Sequence, residues 1–118
     1  MAENDKERKN KMSKTVDYDP KNDILFIHKG FELDEKFKGN IDAGNLILDM
    51  STKGRIRGVE IINAKDFLKE FNITMSLLND LSDADFEAIS KPHSIMISLI
   101  LKAKQTQKTA KIAVTMAN

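Results

Sequence analysis

Two aliphatic runs, Leu46-Ile47-Leu48-Asp49-Met50 and Ile56 to Ile62, flank Ser51-Thr52-Lys53-Gly54, and this arrangement constrains the fold more than any other stretch of the chain. β-branched and aliphatic residues suit a pleated, half-buried surface. Gly54 stands where a type I turn followed by a bulge needs a positive φ, so the two runs are expected to pair as antiparallel neighbours. Within the second run Ile56 shares a parity with Gly58 and Ile62, whereas Val59 and Ile61 lie on the other. Either both faces of that strand are partly buried or a bulge at Gly58 switches them.

The strand then hands over to a helix. Asn63 is a good N-cap and Asp66 stands at the third helical position, so Arg55 to Phe67 reads as a strand ending in a capped helix rather than as the lip of an active site. Phe67, Leu68 and Phe71 form one apolar face that can fold back on the sheet. An earlier hairpin is signalled by Val16 and Tyr18, then Asp19 to Asp23, then Ile24 to Ile27. Pro20 presets φ there, and Asn22 tolerates the left-handed conformation that closes a three-residue loop.

A charged connection, Lys29 to Lys38, leads to Ile41 and Gly44. Met75, Leu77, Leu78 and Leu81 predict a second short helix. Ser82-Asp83-Ala84-Asp85 opens a third that carries Phe86 and Ile89 and is stopped by Lys91-Pro92. Ile95, Ile97, Leu99 and Leu101 share one strand face, and Ile112, Val114 and Met116 another, with a polar stretch from Gln105 to Thr109 between them. Aliphatic and β-branched density favours a strand over a helix across Ser94 to Lys104.

The whole pattern is α+β: a single small domain with a mostly antiparallel sheet of about six or seven strands and about two or three short helices inserted before a C-terminal hairpin. A chain of 118 residues fits one domain. Residues 1–14 alternate acids and bases with only Met12 as an apolar anchor, the pattern of a disordered charged tail, and residues 15–118 are assigned to the domain. Hydrophobic residues make up 41% and charged residues 31%, the balance of a soluble globular chain. No apolar run is long enough to span a bilayer or to act as a secretion leader, so a cytoplasmic location is expected. The absence of cysteine removes disulfides, thiolate metal sites and cysteine nucleophiles together.

Charge is uneven along the chain although its formal net value is only +1. Residues 88–118 carry five lysines and no acid. Lys102, Lys104, Lys108 and Lys111 cluster around the expected last turn and could approach phosphates, which makes nucleic acid a candidate partner. Nucleic-acid binding usually brings arginines and exposed aromatics beside the lysines, and this block has neither. The same lysines would also guard a solvated hairpin edge, and a basic hairpin on an acidic body could match a second copy of itself.

No catalytic constellation is assembled. Asp17, Asp19 and Asp23 resemble the start of a calcium loop, but Lys21 and Asn22 occupy the wrong positions and His28 stands where a glutamate is needed. These carboxylates are expected to accept backbone amides of a hairpin turn. His28 and His93 belong to no metal-binding motif, and no serine lies in a nucleophile elbow. Met75, Met96 and Met116 read as core fillers. Glu60, a carboxylate amid aliphatics, is expected to pair with Arg55, Arg57 or another subunit; Arg57, Glu60 and His28 are therefore the interface candidates. No cofactor or metal is expected.

The phrases VDYDPKNDILFIHKG and LILDMSTKGRIRGVEIINAKDFL, taken in order, resemble the small prokaryotic family called domain of unknown function 2283. The resemblance runs through Tyr18, Asp19, Asp23, Leu25, Ile27, Asp49, Gly54, Gly58, Glu60, Ile61, Asn63 and Ala64, over roughly residues 16–68. Phe26 and Arg57 depart from it, replacing a tyrosine and an aliphatic residue. It implies the two hairpins and the capped strand exit, and it supplies no catalytic residue. The expectation is a protein-interaction or self-association module without catalysis; the alternative is a nucleic-acid-binding accessory protein that uses the basic C-terminal hairpin.

Overall fold

Alternating apolar residues build eight strands in the computed structural model, which describes residues 13–115. Strands β1 (Thr15–Asp19), β2 (Ile24–His28), β3 (Phe37–Ala43), β4 (Leu46–Ser51) and β5 (Ile56–Ile62) form a five-stranded sheet in the order β1-β2-β5-β4-β3. Helices α1 (Ala64–Lys69) and α2 (Met75–Asn79) follow. Then β6 (Asp83–Lys91), β7 (Ser94–Ala103) and β8 (Thr106–Thr115) form a three-stranded meander. Every pairing is antiparallel. The α+β class and the mostly antiparallel character stand, but there are two sheets where one was expected. β5 is already flanked by β2 and β4, and the chain leaves it through the two helices into a separate three-stranded sheet.

Gly54 adopts φ +75 and donates its amide to the Ser51 carbonyl at 2.9 Å, as the turn requires. Met50 pairs with Ile56 and Asp49 with Gly58, which leaves Arg57 as an extra residue. The bulge thus lies one position before Gly58, and it brings Ile56, Val59 and Ile61 into the buried core. The first hairpin differs from expectation. Its loop is four residues long, from Pro20 to Asp23, and the left-handed residue is Asp23 at φ 56 rather than Asn22.

Asn63 does not cap α1. It takes a left-handed φ of 55 to turn the chain out of β5, and its side chain makes no capping bond. An N-cap needs an extended residue instead. Asp23 does the capping from the first hairpin: its carboxylate accepts the Lys65 amide at 3.1 Å, and its carbonyl accepts the Ala64 amide at 3.0 Å.

The third expected helix is β6. Ala84 and Phe86 are buried, whereas Ile89, taken as their helical neighbour, is 58% exposed. The operative period is two, and the unbroken alternation of β7 beside it fixes that choice. The polar stretch from Gln105 to Thr109 is likewise mostly strand, because the β7–β8 turn is only Lys104 and Gln105. Met75 is 51% exposed, so it does not fill the core. Residues 1–12 of the expected tail, and Met116, lie outside the described residues.

One buried cluster draws on both sheets and on Ala64, Leu68, Ile73, Leu77 and Leu78 of the helical segment. In the first sheet Val16, Ile27, Val59, Leu48 and Ile41 form a continuous row, and Tyr18, Leu25, Ile61, Leu46 and Ala43 a second. In the other sheet Phe86, Leu99 and Ala110 align, as do Ala88, Ile97 and Ile112. Each fully buried side chain of this size stabilises the fold by about 1.5–3 kcal/mol.

Candidate functional site

Polar chemistry concentrates at one end of the five-stranded sheet. Glu35, in the charged connection before β3, is only 1% exposed. Its carboxylate accepts Arg55 Nε at 2.9 Å and an Arg55 Nη at 2.7 Å, together with the Glu32 amide at 3.1 Å and the Ser51 hydroxyl. Arg57 Nε lies 3.7 Å away. The Arg55 guanidinium holds the Glu35 carboxyl down at about 2, overcoming burial, which pushes it upward, and the Ser51 hydroxyl and Glu32 amide assist. This buried ion cluster pins the Lys29–Lys36 connection onto the β4–β5 turn. It is the principal polar feature that sequence reasoning missed, because Glu32-Leu33-Asp34-Glu35 reads as a solvated stretch. The two arginines expected to meet Glu60 meet Glu35 instead.

His28 sits across from Gly58, which in turn pairs with Asp49. A Cβ on Gly58 would stand 2.7 Å from both His28 Cδ2 and Asp49 Oδ2, so glycine is required for the two side chains to lean together over β5. His28 is 3% exposed, and its Nδ1 accepts the Gly30 amide at 2.8 Å, so the proton of the neutral ring resides on Nε2. Its ring meets Phe31 edge-on at 4.8 Å. Burial lowers its pKa below 6.5, aided by Arg57 and opposed by Asp49 and Glu35. His28 is therefore a buried structural ring and not an accessible interface residue.

The outward rows of this sheet are mixed. Asp17, Phe26, Glu60, Ile47 and Asp42 align across the five strands. Glu60 and Arg57 are half-buried; Glu60 makes no hydrogen bond or ion pair among the described residues, while Arg57 Nε donates to the Gly30 carbonyl at 2.8 Å. Tyr18 donates its hydroxyl to Asp23 at 2.7 Å, and its pKa is pushed up to about 12 by burial and by that carboxylate. Asp19 accepts the Lys21 and Asn22 amides, the turn role foreseen for it.

The four C-terminal lysines do not form one patch. Lys102 and Lys111 lie on the outer face of the second sheet, with Lys102 paired across strands to Asp83 and Lys111 to Ser98. Lys108 shares the inward parity of Ala110 and Ile112, and Lys104 occupies the turn with φ 49. Lys104 and Lys108 line a cleft of about 280 Å³ with Asn72, Thr74, Ser76 and Asp80, so a carboxylate faces them. The acids Asp83, Asp85 and Glu87 of β6 are ion-paired with Lys14 and Lys29 rather than with this block.

Edges separate the strands more sharply than charge does. β1 has five residues, and β3 has a register shift between Phe37 and Gly39. β6 packs near β2, and Lys29 reaches it, 3.2 Å from Asp85 and 3.6 Å from Glu87, with its ammonium 4.9 Å from the centre of the Phe86 ring. β8 is different. It runs ten residues in unbroken register with β7, contains no proline, and pairs with no strand on its other side among the described residues.

Among the described residues no group of three or more His, Asp or Glu side chains is arranged to hold a metal ion. No helix of these residues is long and apolar enough to cross a membrane.

The profile of a family described as "Protein of unknown function (DUF2283)" matches residues 15–65, which span the whole five-stranded sheet and the start of α1. "Uncharacterized protein MJ0789" of Methanocaldococcus jannaschii is 34% identical over 92 residues, covering 77% of this chain and 72% of that protein. No solved structure matches.

Proposed function

Because the chain belongs to the DUF2283 family of proteins of unknown function, no activity comes with its fold, and we propose that it is a non-catalytic protein-interaction module that works by strand addition at the edge of β8. The observation that carries this reading is the unpaired side of β8. An unpaired strand edge presents a row of amides and carbonyls, and an added strand satisfies them while side-chain pairing supplies specificity. The other edges are short, bulged or crossed by Lys29. The absence of catalysis is supported by how the reactive side chains are used: the Ser51 hydroxyl is donated to Glu35, and His28 is buried against Gly30. A prokaryotic cytoplasm is the setting this reading assigns.

Nucleic-acid binding has less support, since the lysines it needs are divided between two faces and opposed by carboxylates. Light scattering after size exclusion of the full chain, at low and high salt, tests the choice. A salt-resistant mass above the 13.3 kDa of one chain is expected. A monomer at every concentration, with steeply salt-dependent binding to nucleic acid, would overturn the interaction reading.

A further inference from the structure

We propose that the strand added to β8 is the β8 of a second copy of this chain, antiparallel and with Ile112 on the two-fold axis, so that two three-stranded sheets join into one of six. This rests on the reading that β8 is the interaction edge, and it names the partner and the register.

Directly opposed residues in an antiparallel pair share a face, and a two-fold axis makes every contact occur twice. An axis through Lys111 would set two ammonium groups against each other, which is unfavourable. An axis through Ile112 takes the two lysines out of direct opposition and leaves them as diagonal neighbours about 7–8 Å apart, a weaker repulsion. Lys111 then faces Ala113 of the second copy, an exposed small residue that leaves room for the lysine stem, and Thr109 faces Thr115. On the core side Ile112 meets its own copy and Ala110 meets Val114. All three are buried beside the edge, so the apolar row continues across the junction. The lysine edge could instead match the acids of β6 by charge, head to tail, but Lys29 already occupies Asp85 and Glu87. That arrangement would also leave an edge open at each end and grow without closing.

Ala113 is exposed, so charges placed there test the register without disturbing the core. Dimer dissociation of the full chain is followed by dilution for the parent, Ala113→Glu and Ala113→Lys. With Ile112 on the axis, Ala113→Glu creates two opposite-charge pairs with Lys111 and tightens the dimer about fivefold, whereas Ala113→Lys creates two like-charge pairs and weakens it about fivefold. Weakening by both would put the axis at Ala113 and overturn the register, as would no effect from either. A mass that climbs steadily with concentration would overturn closed pairing in favour of head-to-tail addition. A monomer throughout, Ala113→Glu included, would overturn the self-pairing, and steeply salt-dependent binding to nucleic acid beside it would overturn the interaction reading as well. Since the chain has no cysteine, the double variant K111C/A113C should also oxidise to a covalent dimer more readily than either single variant.

Discussion

The two sheets are built on different principles. The five-stranded sheet is held by polar pinning as well as by its core. Glu35 fastens the Lys29–Lys36 connection to Ser51 and Arg55, Asp23 caps α1 from the opposite hairpin, and Gly58 admits His28 and Asp49 over β5. Its edge strands are short or irregular. The three-stranded sheet has regular alternation, two-residue turns and a ten-residue edge strand in unbroken register. The family profile matches the first sheet and stops before the second begins. The comparison teaches that this fold combines a polar-locked platform with a simpler sheet whose last strand has a neighbour on one side alone among the described residues.

The largest expected effect breaks the second sheet. Phe86 is fully buried between Leu99 and the Lys29 ammonium, and Phe86→Ala should cost about 3–5 kcal/mol in denaturant unfolding. Because both sheets share one buried cluster, the loss should appear in a single transition. Two separated transitions would show that the sheets unfold independently.

Next comes the lock of the first sheet. Glu35→Ala leaves the Ser51 hydroxyl and the Arg55 guanidinium without their acceptor, and a loss of about 2–3 kcal/mol is expected, less than for a fully enclosed pair because Arg55 is 44% exposed. The pH dependence sharpens the point. Glu35 holds a pKa of about 2 against an ordinary 4.5, so the unfolded chain binds this proton first, and the stability it gives is full above 4.5 and lost as pH falls toward 2. His28 adds a loss that begins as pH falls through 6.5, since the folded ring resists the proton that the unfolded ring accepts. Acid titrations of the parent, Glu35→Gln and His28→Gln should each lose the corresponding window. A parent curve flat from pH 7 to 3 would contradict both assignments.

The smallest effect lies in the β7–β8 turn. Lys104 adopts φ 49, a conformation that disfavours a side chain, so Lys104→Gly should stabilise by about 0.5–1 kcal/mol. A thermal melt distinguishes this from the destabilisation expected if the lysine makes a needed contact in the cleft.

Much of the fold was legible because turn chemistry and alternation act locally. The Gly54 turn, the strand from Ile56 to Ile62 and the alternation from Ile95 to Leu101 needed no distant information. The failures came where distant partners decide. Asn63 has the composition of a cap, but its left-handed φ of 55 excludes that role, which falls to Asp23, some forty residues away. Ser82 to Asp85 has the composition of a helix start, yet pairing with β7 draws it into a strand. Glu35 resembled any surface glutamate; only Ser51 and Arg55 on either side of the Gly54 turn hinted that an acceptor was needed. The candidate site was less legible still. The lysines were visible as a block, whereas their division between faces and the open side of β8 are properties of the assembled sheet.

Hydrogen exchange along β8, measured at high and low protein concentration, tests the central claim most directly. The amides of Thr109–Thr115 that do not bond to β7 should be protected when the chain is concentrated and lose protection on dilution, while β7 stays protected throughout. Rapid exchange of those amides at every concentration would contradict strand addition at this edge.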